Sequence, residues 1–358
     1  MRTLLRGAAI AASCAGLLAA CAEELDRPDP STLWDGDGEQ VEVVEPITFA
    51  PRAGGNAYGL PRDGELGIGD LIDTLPTERI DRDDPNLWMV DGDIPSTDQC
   101  QGGTVNSLGD EPIEIEGIVT LHPRQYFKLP VCGQDERFYG SYVVEDDTGG
   151  ILVLRDGRVA PYTFGDRVRL RIRGVGLFYG QPRQRAVIAH DVELLPPRQT
   201  SDGEPDRTVL YREVTDADFG DDDIGEVRRV EGFVVQKPTN DNFNAMLIAD
   251  RELPEGGSGE VTATCIETCA GTCRARCPSD GNLLCRETIC PAACSADGGY
   301  DVDALPNVCW GANIDAELGR RGFSPDFGDR VRVTAPVLEG FGGADLYIIR
   351  LGQVETLN

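Results

Sequence analysis

Histidine is nearly absent: only His122 and His190 occur in 358 residues. They fall in separate segments, the first beside Pro123 in a loop between strands and the second before Asp191 in a strand. No serine elbow of the G-x-S-x-G type, no H-E-x-x-H helix and no phosphate-binding glycine loop accompanies them. Catalysis would therefore rest on carboxylates alone, and the sequence reads as a non-enzyme without cofactor or metal, both histidines being structural or surface residues. Lysine is as scarce, with Lys128 and Lys237 the only two among 33 basic residues, a bias that reflects gene composition rather than function. After the first twenty residues no apolar run approaches the ~20 needed to cross a bilayer as a helix. Positive charge is short overall, at a net −29, but unevenly so. Residues 22–98 and 201–358 each carry a net −15, whereas residues 99–200 carry only −1. A polyanion is repelled by the outer thirds and tolerated by the middle, so overall acidity disfavours nucleic acid as a partner.

What is present begins with an export signal. Arg2 and Arg6 precede an Ala-rich apolar stretch from Ala8 to Ala20, too short and wrongly flanked for a membrane span. It ends in Leu18-Ala19-Ala20-Cys21, which resembles the lipobox of bacterial lipoproteins. The resemblance implies cleavage before Cys21 and acylation of that residue, making the lipid bilayer a partner. Ala22, where retained lipoproteins carry Asp, implies the outer membrane, on its periplasmic or its outer face. Residues 21–60, rich in Pro, Gly and acids, then read as a lipid anchor and flexible acidic stalk, and 61–109 as an irregular lead-in.

Cys14 leaves with the signal and Cys21 takes lipid, so ten cysteines remain. An even number in an exported chain reads as disulfides. Cys100 and Cys132 stand alone and make a natural pair. The dense group is Cys265, Cys269, Cys273, Cys277, Cys285, Cys290, Cys294 and Cys309. Its first four follow a C-x3-C rhythm, which on a helix lines them along one face towards a facing helix bearing Cys285, Cys290 and Cys294. The segment about 260–310 thus reads as a helical knot stapled by sulfur, its connectivity open. Structural zinc is the alternative, but it favours C-x2-C or C-x4-C steps.

From residue 113 the pattern turns to strands with period two. IEIEGIVTL alternates. YGSYVVEDDTGGILVL is a hairpin about Asp-Thr-Gly-Gly. DRVRLRIRGVG is a long strand, and AVIAHDVELL a fifth. Gly117 in the first strand, Asp146-Asp147-Thr148-Gly149-Gly150 in the hairpin and Phe164-Gly165-Asp166 before the fourth strand resemble oligonucleotide/oligosaccharide-binding (OB) domains of exported bacterial proteins. The resemblance implies a five-stranded barrel over 110–196. After a linker at 197–210, residues 211–358 repeat the scheme: Gly232 stands for Gly117, and Phe327 to Arg332 repeat the six residues Phe164 to Arg169. From Gly117 to Gly165 the chain advances 48 residues, and from Gly232 to Gly328 it advances 96, so the Cys-rich segment reads as an insertion. The expected fold is mainly β: two five-stranded OB-type barrels in tandem, the second with a disulfide-stapled insertion.

One feature suggests a ligand. Arg167, Arg169, Arg171 and Arg173 share one face of the fourth strand. Arg183 and Arg185 follow, with Phe178 and Tyr179 nearby and Tyr126, Phe127 and Lys128 in the first inter-strand loop. OB barrels bind with the faces of strands two and three and the flanking loops, using aromatic stacking and basic side chains. The other reading pairs these arginines with Glu114, Glu116 and Glu193 as a solvated face. The Asp216–Glu226 run could ligate Ca²⁺, but it lacks EF-hand spacing and reads as an acidic loop or helix start. Two functions follow: a non-catalytic binding or scaffolding lipoprotein with a glycan, cell-wall or protein ligand, or a cell-surface single-strand nucleic-acid binder acting through the first barrel.

Overall fold

Short strands with apolar side chains at alternate positions account for most of the ordered chain, as period-two patterning dictates. The structure, a computed structural model, describes residues 47–74, 106–107, 113–121, 130–131, 134–135, 142–154, 162–177, 185–215, 217–237, 245–253, 256–277, 285–296, 300–314, 325–340 and 343–357. The elements of the first half are β1 (Phe49–Pro51), α1 (Ile68–Thr74), β2 (Ile113–Leu121), β3 (Tyr142–Glu145), β4 (Gly150–Leu154), β5 (Arg167–Leu177) and β6 (Arg185–Leu195). Those of the second half are β7 (Val209–Glu213), β8 (Val227–Gln236), β9 (Ala245–Ala249), α2 (Ala263–Arg276), α3 (Cys290–Ser295), β10 (Cys309–Ile314), β11 (Arg330–Gly340), β12 (Gly343–Ile348) and β13 (Val354–Leu357).

In the first sheet β2 pairs antiparallel with β3 and β5, β3 pairs with β4, β4 runs parallel to β6, and β6 returns to β5. Ile115, Val119, Tyr142, Val144, Ile151, Val153, Val168, Leu170, Ile172 and Val187 form its core, joined by Ile68 and Leu71 of α1. The short helix ahead of the sheet therefore fills its interior. Asp146 holds α1 in place by accepting the Ile68 N–H at 2.7 Å.

The second half closes as a five-stranded barrel, β8–β9–β10–β12–β11, with β11 returning to β8. Val230, Val234, Met246, Ile248, Trp310, Ala312, Val331, Val333 and Leu346 point into it. The repeated Phe-Gly-Asp is the same turn in both halves. Gly165 and Gly328 adopt φ +78° and +86°, a region open to glycine. Each glycine N–H donates to the first strand of its own sheet, Gly165 to Val119 O at 2.9 Å and Gly328 to Val234 O at 2.8 Å. Each following aspartate carbonyl accepts from the same strand residue.

The Cys-rich segment lies between β9 and β10, so it interrupts a hairpin of the barrel in the second half. Thr262 caps α2 by accepting the Cys265 N–H at 3.2 Å. Disulfides Cys265–Cys294, Cys269–Cys290 and Cys273–Cys285 lace α2 to the returning segment, and Cys277–Cys309 ties it to β10. Strand β10 itself was hidden in the sequence, its first residue counted with the insertion. Among the described residues no helix is long and apolar enough to cross a membrane.

One correction concerns the N-terminal region. Residues 47–60 were expected in a solvated stalk, but they form a strap packed on both halves. β1 pairs parallel with β7. Ile47 and Phe49 join an apolar core shared by the halves, and Tyr58 and Leu60 pack against Ile118 and Leu210. The stalk composition misleads because the strap's polar backbone is satisfied by Asp147, whose carboxylate accepts from the N–H groups of Ala57, Tyr58 and Leu60 at 2.8, 2.8 and 3.0 Å.

Candidate binding faces

The arginine stripe sits on the outer face of β5, where β2 and β6 flank it with acids. Arg167 and Arg169 both bond to Glu116, Arg169 reaches Glu193 at 3.3 Å, and Arg171 meets Glu114 at 2.9 Å and Asp191 at 4.0 Å. Burial opposes the charge on Glu116, yet the two guanidinium groups hold its carboxyl below the ordinary value. The second half repeats the scheme, with Arg330 and Arg332 on Glu231 and Arg332 also on Glu355 at 2.7 Å. These arginines have carboxylate partners within the fold and leave little uncompensated positive charge. Arg173 and Arg185 lie on β5 and β6, but their side chains, with Tyr126, Phe178, Tyr179, Arg183, Cys21, Cys100, Cys132 and both histidine side chains, lie outside the described residues.

The outward faces of the second and third strands are covered in both halves. In the first, Val143 of β3 and Leu152 of β4 point away from the sheet's own core. They pack against Val209, Tyr211, Val227, Leu338 and Ile349 of the second half. In the second, Leu247 and Ala249 of β9 and Cys309 of β10 lie beneath the disulfide-laced insertion, in one cluster with Cys269, Cys273, Ile289 and Cys290. The outward faces of these strands are thus occupied in both halves by another part of this chain.

The junction between the halves is also polar. Glu145 closes β3 and accepts the Val227 N–H of β8 at 3.1 Å. Arg52 of the strap reaches Glu145 at 3.2 Å, Glu226 at 3.5 Å and Asp147 at 3.8 Å. Arg228 bonds to Glu226 at 2.6 Å and also to Asp223. Asp223 further accepts the Gly220 N–H at 2.7 Å, so this part of the acidic Asp216–Glu226 run ends in a short helical turn and an ion pair. Among the described residues no group of three or more His, Cys, Asp or Glu is set to hold a metal ion. Sequence reading missed Arg52, Glu145, Glu226 and Arg228. The only local signal was a charged residue beside each hairpin or strand end, which ordinarily means solvent.

No family model and no curated protein matches the chain. Among solved structures it is similar to fission yeast Pot1 with single-stranded DNA, at 10% identity and a TM-score of 0.28 over 70% of this chain and 86% of that one. It is also similar to the tetrameric p202 HIN2, at 10% identity and a TM-score of 0.23 over 71% of this chain and 99% of that one. Neither likeness is close enough to carry function.

Proposed function

We propose that this chain is a lipid-anchored, exported lipoprotein that acts as a non-catalytic scaffolding or binding module, built on two OB-type barrels in tandem. The observation that carries the reading is the self-coverage of both strand faces. Val143 and Leu152 are buried against the second half, and Leu247, Ala249 and Cys309 beneath the insertion. A protein that fills its own clefts is built for rigidity, and it presents partners with its outer loops and stapled insertion. The ring of strand pairings in each half and the shared Phe-Gly-Asp turn support the tandem reading. The four disulfides among the described residues agree with an oxidising compartment, as expected of an envelope protein. Glycan, cell-wall and protein ligands all suit such a body. Single-stranded nucleic acid suits it less, because Arg169 and Arg171 are paired with acids.

The test has two arms. Fractionation of cells carrying Cys21→Ser should find the protein released from the membrane; continued membrane association would remove the anchor. The soluble form beginning after Cys21 should leave single-stranded DNA unbound at low and moderate salt while a glycan and peptidoglycan panel is screened beside it. Tight, salt-sensitive DNA binding lost in Arg171→Ala/Arg183→Ala would replace the scaffold with the nucleic-acid reading.

A further inference from the structure

We propose that the junction between the two halves is a proton-operated latch, in which Glu145 carries a proton while strap and halves are joined and loosens them when it is lost. The inference stands apart from any ligand. It begins with position: the side chains of Arg52, Glu145 and Asp147 are 2%, 1% and 3% exposed, at the meeting of strap, first sheet and second barrel. The backbones there nearly touch. A Cβ on Gly150 would lie 1.9 Å from the Gly225 carbonyl oxygen, so the space admits neither a side chain nor a solvent layer.

Charges facing this point do not balance. Glu145 and the Asp146-Asp147 pair come from the first sheet, Arg52 and Tyr58 from the strap, Arg198 from the linker, and Arg212 from β7. Asp223, Glu226 and Arg228 come from the start of the second barrel. Arg198 is spoken for by Asp206 at 3.3 Å, and Asp146 by its own turn and α1. Asp147 accepts from three backbone N–H groups. Arg228 serves Glu226 and Asp223, and among the described residues the half-exposed Arg212 reaches Glu226, at 3.5 Å. Besides the Val227 N–H, Glu145 contacts one guanidinium, Arg52, which it shares with Asp147 and Glu226, and Arg228 adds a weaker attraction. A second full negative charge beside Glu226 in this dry space is costly, and neutralisation by a proton removes the cost.

Burial first, and then the charge of Glu226, push the Glu145 carboxyl up to about 8 against the pull of Arg52, the Val227 N–H and Arg228. In the unfolded chain it titrates near the ordinary glutamate value of 4.5. Between those values the joined state holds a proton that the unfolded chain does not. Its stabilising contribution is complete below the lower value, declines as pH rises, and is lost above the upper one.

The experiment is a series of thermal melts of the soluble form from pH 5 to pH 10, for wild type and Glu145→Gln. The amide is a neutral isostere of the protonated acid. The wild-type midpoint should fall from pH 5 to about pH 8 and level off above it, and the variant should lose that descent. Hydrogen exchange, corrected for intrinsic rate, should show the Val227 amide and those of Tyr58 and Leu60 losing protection over the same range in wild type only. Should Glu145→Gln fail to fold, Glu226→Gln serves instead, moving the descent to lower pH by removing the neighbouring charge. Parallel profiles for wild type and Glu145→Gln, or an unmoved descent in Glu226→Gln, would overturn the latch.

Discussion

Gly150 and Gly225 meet backbone to backbone across the junction, and neither has room for a methyl group. A Cβ on Gly225 would stand 2.2 Å from the Gly150 carbonyl oxygen, and Gly225 has φ +89°. Gly225→Ala must therefore displace one half from the other as well as strain its own backbone, and we expect a loss of more than about 2 kcal/mol in urea unfolding. Gly54→Ala is the matched control. Its φ is +84° but nothing lies within 4 Å, so it carries only the backbone cost of roughly 1–2 kcal/mol. Arg171→Ala, removing a half-exposed pair with Glu114, should change stability by less than about 1 kcal/mol. If the two glycine variants are equally destabilised, the close approach is not a constraint on the fold.

At the scale of elements, the insertion has a helix that few of its own contacts explain. α2 buries only Cys269, Ala270 and Cys273, so its inner face is nearly all sulfur. The link to the barrel is Cys277–Cys309, closing a sequence separation of 32 residues. Replacing both cysteines by alanine should lower stability by roughly 2–4 kcal/mol and expose α2 to protease, while the three inner disulfides keep the knot itself intact. A digest unchanged from wild type would mean that packing on Leu247 and Ala249 alone seats the insertion. The helix and its sulfur-lined face were legible in the C-x3-C rhythm because i, i+4 geometry is local. So were β2, β5 and β8, in each of which apolar and charged residues alternate over part of the strand, and the repeated turn, whose glycine needs positive φ. Strand β10 was not legible: Cys-Trp-Gly-Ala-Asn-Ile is short, begins with a disulfide cysteine and gets its partners from β9 and β12. The strap was illegible for a different reason. Its proline, glycine and acid content matches that of a solvated chain, and what orders it is one aspartate, Asp147, some ninety positions later, together with the parallel pairing to β7. The arginine stripe was legible as a pattern, but its partners follow from register: Glu114 and Glu116 face Arg171 and Arg169 directly.

For the whole molecule, the decisive fact is that one apolar core belongs to three separate segments. Leu121, Val143, Leu152 and Phe164 come from the first half, and Val209, Tyr211, Val227 and Leu338 from the second. Ile47 and Phe49 of the strap pack against them. Two barrels joined only by a linker would melt independently, whereas a shared core couples them into one transition. Residues Pro46–Asn358 do form one compact unit. The strap is the piece whose removal tests the coupling, since its loss uncovers apolar surface on both sides at once. Each large apolar side chain it buries contributes ~1.5–3 kcal/mol, and Phe49, Tyr58 and Leu60 together approach the ~5–15 kcal/mol by which whole domains are stable. Its deletion also leaves Glu145 without Arg52 and three β7 residues without their parallel partner. We therefore expect the soluble form beginning at residue 62 to lose the single calorimetric transition, melting in two steps or failing to fold, and to bind a hydrophobic dye. A solvated stalk predicts the opposite: the same midpoint and one unaltered peak. That outcome would place the coupling between halves wholly in their direct contact and reduce the strap to a passenger.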